Sequence, residues 1–176
     1  MLFIAKPESL ITCARSPSGL CAIGEPSDDA KQIIVSVLDP IKGRGPELFR
    51  FALLGNYDNW SLDLSPDGSR FAATQDRVGP ISIFSRRGQV LQTVQVKDWS
   101  ELQSLAWSAD GKGLFVTAIN RTGRVILHVD LQGRATVLWE NMGASGETLA
   151  HPSPDGRYLE FDGWTLSSNM WMIENF

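Results

Sequence analysis

Apolar and polar residues alternate through much of the chain, and the alternation breaks at regular places. Before one break Leu62 and Leu64 point to one side and Asp63 to the other; Leu105 and Trp107 flank Ala106 in the same way, and Ala150 and Pro152 flank His151. Successive side chains of an extended strand face opposite sides, so a period of two reads as a strand with one face buried. After the breaks come further apolar runs, such as Arg70-Phe71-Ala72-Ala73-Thr74 and Leu114-Phe115-Val116-Thr117-Ala118. No span of a dozen residues carries the roughly 3.6-residue apolar period of an amphipathic helix. The pattern predicts an all-β chain.

The breaks are one tetrapeptide repeated. Ser16-Pro17-Ser18-Gly19, Ser65-Pro66-Asp67-Gly68, Ser108-Ala109-Asp110-Gly111 and Ser153-Pro154-Asp155-Gly156 begin 49, 43 and 45 residues apart. Proline presets the first corner angle, aspartate bonds nearby backbone and glycine accepts positive φ, so each tetrapeptide reads as a tight corner between two strands. A third strand follows in each unit, over residues 33–38, 80–84, 125–129 and 170–173. Turns at Arg87-Gly88 and Gln132-Gly133 lead to a fourth strand, which the first three units place at 47–54, 89–96 and 134–140. Four antiparallel strands recurring every roughly 40 to 50 residues are the blades of a β-propeller, each burying its faces against its neighbours. Trp60, Trp99, Trp107, Trp139, Trp164 and Trp171 fall at or beside these strands, where packing wedges between blades belong.

The whole chain is therefore read as one propeller segment of four repeats. Residues 1–6 form a spare strand, 7–55, 56–99 and 100–142 form three blades, and 143–176 form a fourth that lacks its outer strand. One spare strand and one missing strand leave three arrangements open: a small closed ring within one chain, a homodimer whose ends exchange or abut, and a fragment of a larger ring. The last two are favoured, because the blades are of the kind that builds larger rings.

Composition narrows the partners. With 43% hydrophobic and 20% charged residues the chain matches a soluble protein that buries a core. Its formal charge of −4 is spread without runs, which argues against nucleic acid and against contact with a membrane surface. Nothing approaches the roughly 18 to 20 apolar residues of a membrane helix, and Met1-Leu2-Phe3-Ile4-Ala5 is too short for a signal-peptide core. The compartment stays open: cytoplasmic as written, extracytoplasmic if a longer parent carries a signal. Two cysteines are too few for a disulfide framework and lack the spacing of a zinc site. Cys13 and Cys21 flank the first corner on adjacent strands, so a disulfide is feasible. Cys13 also occupies the position of Leu62 and Leu105, which favours two buried thiols acting as small apolar side chains.

The segments Leu62-Asp63-Leu64-Ser65-Pro66-Asp67-Gly68-Ser69-Arg70-Phe71-Ala72 and Ser153-Pro154-Asp155-Gly156-Arg157-Tyr158-Leu159 resemble the WD-repeat-like blade of the TolB type. The resemblance covers most of the chain, although unit one has Ser18 where the others carry aspartate. The ending from Gly163 to Phe176 resembles the C-terminus of large bacterial proteins in which such a propeller follows a serine/threonine protein kinase or a winged-helix DNA-binding domain. That resemblance implies a sensor propeller and no activity for these residues.

Chemical motifs are sparse. Gly43-Arg44-Gly45 lacks the third glycine and following helix of a phosphate loop and is read as a strand connection. Phe161-Asp162-Gly163 lacks every companion element of a kinase metal site, and no serine stands in a nucleophile elbow. His128 and His151 are isolated, and the corner residues Asp67, Asp110 and Asp155 are explained by their turns rather than by calcium. No catalytic residue, metal or cofactor is expected.

Loops on a rigid repeat carry function, so the candidate binding residues are Asp76, Arg77, Asn120, Arg121, Asn141, Glu147, Trp164 and Asn169. The reading is a non-catalytic binding or scaffold module for a protein or small molecule. The alternative is a propeller enzyme of the lactonase, lyase or peptidase-associated kind, with a metal or acid/base site in the channel. A purely structural role is the third.

Overall fold

The computed structural model describes residues 5–15, 19–54, 60–75, 80–142 and 148–163. All regular structure among them is strand: β1 (Leu10–Cys13), β2 (Cys21–Pro26), β3 (Gln32–Asp39), β4 (Gly43–Ala52), β5 (Trp60–Leu64), β6 (Arg70–Gln75), β7 (Ile81–Ser85), β8 (Val90–Val94), β9 (Leu102–Trp107), β10 (Gly113–Ile119), β11 (Gly123–Asp130), β12 (Ala135–Met142), β13 (Ala150–Pro152) and β14 (Leu159–Phe161). They form three four-stranded antiparallel sheets, β1–β4, β5–β8 and β9–β12, and the pair β13–β14, each a simple meander. The inner strands of successive sheets lie side by side, β1 against β5, β5 against β9 and β9 against β13. The fold is all-β and propeller-like.

The corners form as their sequence dictates. Gly68, Gly111 and Gly156 take φ of 72°, 67° and 71°, in the left-handed region that glycine enters without cost. Each described corner serine spans its turn: the Ser65 hydroxyl donates to Asp67 at 2.6 Å and accepts from the Arg70 N–H at 2.9 Å. Ser108 and Ser153 make the same bond to Asp110 and Asp155, both at 2.6 Å.

Two cores sit between sheets rather than within them. The first joins Ala22, Ile33, Val35, Phe49 and Phe51 of sheet one to Trp60, Leu62, Leu64, Phe71 and Phe84 of sheet two. Phe49 packs on Phe71 and Phe84 with ring centroids 5.2 and 5.5 Å apart. The second core joins Ile81, Ile83 and Val94 to Leu105, Trp107, Val116 and Leu127. Fully burying such a side chain contributes about 1.5 to 3 kcal/mol, so each sheet depends on its neighbour for most of its stability.

Two strand boundaries and the state of the cysteines differ from the sequence reading. β4 begins at Gly43, so Gly43-Arg44-Gly45 lies within a strand rather than in a connection. The turn before it is tighter than expected because the Asp39 carboxylate accepts the N–H groups of Ile41 and Lys42 at 2.9 and 3.0 Å. β12 runs on to Met142 and pairs Asn141 with Arg124, which takes Asn141 out of the loops. Cys13 faces Cys21 directly and their sulfurs are bonded, so they are not free thiols. The Ala14 N–H donates to the Leu20 carbonyl, which makes Cys13–Cys21 the narrow, non-hydrogen-bonded pair where a cross-strand bridge fits. The expected strands at 1–6 and 170–173 fall largely or wholly outside the described residues.

Candidate functional site at the loop end

The inner strands present two ends. At one end stand the corners. There an inter-sheet seam is built around Asp63 on β5. The Thr12 hydroxyl donates to Asp63 Oδ1 at 2.5 Å, the Trp107 N–H donates to Oδ2 at 2.7 Å, and the Trp107 indole N–H reaches the Asp63 carbonyl at 3.2 Å. The Leu64 N–H is shared between Thr12 Oγ1 and Asp63 Oδ1, both at 2.9 Å. One carboxylate thus ties sheets one, two and three together. Burial pushes its pKa up, opposed by the Thr12 hydroxyl, the Trp107 and Leu64 N–H groups and the Arg15 charge. Beside it the Arg70 guanidinium lies 4.8 Å from the Trp107 ring centre and donates to the Gly111 carbonyl at 3.0 Å.

Sequence reasoning treated Asp63 only as the outward member of an alternation. The signal was present: Thr12, Ser61 and Ser104 each stand four residues before a corner serine. Ser61 Oγ accepts the Leu105 N–H at 3.1 Å and Ser104 Oγ donates to the Thr148 carbonyl at 3.0 Å. These hydroxyls satisfy the inner edge of the following strand, which has no ladder partner.

At the other end the chain enters β9 and turns from β10 into β11. Asp98, Trp99, Ser100, Glu101, Ile119, Asn120 and Arg121 line a cleft there of about 540 Å³. Trp99 is half-buried and packs on the second core, and Asp98 holds a φ of 66° that aspartate tolerates better than most residues. Asn120 organises the rim. Its Oδ1 accepts the N–H groups of Thr122 and Gly123 at 2.9 and 2.8 Å, and its amide donates to Glu140 Oε1 at 2.9 Å. The Thr122 hydroxyl donates to the same Glu140 oxygen at 2.9 Å, and these two donors hold the Glu140 carboxyl below its ordinary value. Asn120 is therefore a framework residue. Arg121, Asp98 and Glu101 are exposed at the cleft.

No protein-family profile and no curated protein matches the sequence. Among solved structures the chain is similar to the crystal structure of TolB from Acinetobacter baumannii, with a TM-score of 0.62 over 92% of this chain at 18% identity. The fold is that of a TolB-like β-propeller. At that identity the likeness is one of fold alone, and the chain spans 39% of the TolB chain.

Of the eight predicted loop residues the fold brings Asn120 and Arg121 to one cleft and puts Asn141 in strand β12, paired with Arg124 of β11. Asp76, Arg77, Glu147, Trp164 and Asn169 lie outside the described residues. Asp98, Trp99 and Glu101 were missed; the Trp99 reading as a packing wedge captures its half-buried ring and not the cleft it borders. His128 packs edge-on against Phe115 with centroids 5.5 Å apart. No helix among the described residues is long and apolar enough to cross a membrane.

Proposed function

We propose that this chain is a non-catalytic propeller module that binds a protein or small-molecule partner through the loop end of its sheets. The observation that carries the reading is the cleft between Asp98–Glu101 and Ile119–Arg121, about 540 Å³ in volume. Its rim is held rigid by the Asn120, Thr122 and Glu140 bonds, while Arg121, Asp98 and Glu101 remain exposed for a partner. A rigid repeat that fixes a rim and leaves side chains exposed suits recognition by preorganised contacts. The motif resemblance supports the finer reading, a sensory or protein-interaction part of a bacterial signalling protein whose effector chemistry resides in another domain.

The test is a thermal-shift screen of basic, acidic and apolar peptides and common small metabolites. It compares the natural chain with an Asp98→Ala, Arg121→Ala double variant. A ligand that raises the Tm of the natural chain and leaves the variant's unchanged supports the cleft. The reading fails if every ligand that stabilises the protein stabilises the double variant equally.

A further inference from the structure

Two junctions pair one fully described corner with the next, and they are filled differently. Between sheets two and three the row Asp63, Ala72 and Ile83 faces the next sheet. Arg70, two residues before Ala72 on the same face of β6, reaches across the junction. Its guanidinium donates to the Gly111 carbonyl of the third corner at 3.0 Å and lies 4.8 Å from the Trp107 ring centre. After the Ser65 and Ser69 hydrogen bonds, the Arg70 charge is a further cause that lowers the Asp67 pKa. One guanidinium thus sits among a corner carbonyl, a corner carboxylate and an aromatic ring.

Between sheets three and four the corresponding row is Ala106, Phe115 and His128, and Gly113 takes the position of Arg70. A Cβ on Gly113 would stand 2.7 Å from His128 Nε2, so glycine there makes room for the imidazole. Beside it lies a cavity of about 420 Å³ between the third and fourth corners, walled by Asp110, Phe115, His128, Pro154, Asp155 and Gly156. The Phe115 and His128 rings meet edge-on with centroids 5.5 Å apart. By position in their corners, Gly156 is the counterpart of Gly111 and Asp110 that of Asp67.

The wall is anionic. Arg157 Nε bonds the Asp155 carboxylate at 2.6 Å and matches that charge. Asp110 bonds only within its own corner: Oδ1 accepts the Ser108 hydroxyl at 2.6 Å and the Lys112 N–H at 3.0 Å. These donors hold its carboxyl below the ordinary value, and Oδ2 accepts no hydrogen bond among the described residues. Such a wall disfavours an anion. Nor do Asp110, Asp155 and His128 converge on a metal ion, since no three such side chains among the described residues do so. A planar cation that bonds a carboxylate and a carbonyl while lying against a ring fits the wall, and guanidinium has that shape.

We propose that this cavity receives the guanidinium of an arginine side chain from a protein partner. Asp110 Oδ2 and the Gly156 carbonyl accept its N–H groups, and the Phe115 ring lies beside its plane. The chain displays the same arrangement with its own Arg70 one sheet earlier. Free arginine is disfavoured because its α-carboxylate would share the cavity with two aspartates. The site stands at the corner end of the sheets and does not depend on the cleft beside Asp98 and Arg121.

The test titrates isotope-labelled chain with acetyl-Gly-Arg-Gly-amide and with its lysine and citrulline counterparts, followed by amide chemical shifts. One side chain in an open cavity is expected to bind with a Kd of about 1 mM, with shifts centred on Phe115, His128 and Gly156. Citrulline, near in shape and uncharged, is expected to bind about tenfold more weakly. Asp110→Asn keeps an oxygen for the Ser108 and Lys112 bonds and is expected to weaken the arginine peptide about fivefold. Asp67→Asn removes the same charge at the corner Arg70 already serves and is expected to leave binding unchanged. The proposal is overturned by shifts centred elsewhere, by a lysine or citrulline peptide that binds as well, or by equal losses in the two variants. Free arginine that binds about tenfold more tightly than the peptide overturns it too. None of these outcomes bears on ligand binding at the cleft.

Discussion

Replacing Asp63 by alanine removes the acceptor at the meeting point of three sheets. The Trp107 N–H loses its carboxylate bond, and the Thr12 hydroxyl keeps only its role as acceptor for Leu64. An unsatisfied buried donor costs about 1 to 3 kcal/mol, so the loss comes to about 3 kcal/mol for the two donors. For a chain of this size each kcal/mol moves Tm by about 2 to 4 °C, which predicts a drop of about 6 to 12 °C. Thermal and urea unfolding followed by circular dichroism measure both quantities.

Asp63→Asn separates charge from shape. The asparagine carbonyl can still accept the Trp107 N–H, so this variant loses less than alanine does. Its pH dependence is diagnostic. Burial raises the Asp63 pKa above 3.8, so the folded chain holds that proton more tightly than the unfolded chain. The resulting contribution favours folding at low pH and is lost as pH rises through the folded value. Acidification from about pH 7 to pH 4 is therefore expected to shift the stability difference toward the natural chain, because asparagine has no such proton. An Asp63→Ala loss under about 0.5 kcal/mol, within the range of ordinary surface substitutions, refutes the seam; an opposite pH slope refutes the assigned burial.

Ala106→Asp puts a carboxylate at a position of β9 that is 1% exposed, and is expected to cost about 2 to 4 kcal/mol in urea unfolding, against a smaller loss for Ala106→Ser. Cys13→Ser with Cys21→Ser opens a bridge between residues eight apart and is expected to cost about 2.5 kcal/mol in the chain-entropy account, with dithiothreitol lowering the Tm of the natural chain alone. At Gly133, φ is 83° and an added Cβ would overlap the Gln95 carbonyl oxygen, so Gly133→Ala is expected to lose about 2 to 4 kcal/mol by the same measurement. Hydrogen bonds from Ser65 and Ser69 hold Asp67 down to about 2, so its contribution is present above 3.8 and lost as pH falls toward 2; Asp67→Asn should flatten the acid-unfolding curve in that window.

Much of the fold was legible because the corners are local. Ser65, Asp67 and Gly68 satisfy one another across a few residues, so a tetrapeptide announces a turn wherever it stands. Strand limits were less legible where the deciding bond was one carboxylate: Asp39 tightened the turn into β4 and moved its start to Gly43. The cysteine pairing turned on a single residue of register, which alternation leaves open and the Ala14–Leu20 bond decides. The cleft was legible on one rim only. Asn120-Arg121-Thr122-Gly123 reads as a loop, whereas Asp98 to Glu101 reads as a linker whose partner is 20 residues away.

The seam lay between these cases, local in position and non-local in partner. Asp63 and Ala106 occupy the same place in their units, and taken alone the difference looks like drift in a repeat. Set beside the next unit, it tracks the presence of an N–H at Trp107 and its absence at Pro152. A repeat protein satisfies its inner edges between neighbours, but not always from one position: two before the first corner stands Ala14, and the Leu64 N–H is taken by the Thr12 hydroxyl and by Asp63 instead.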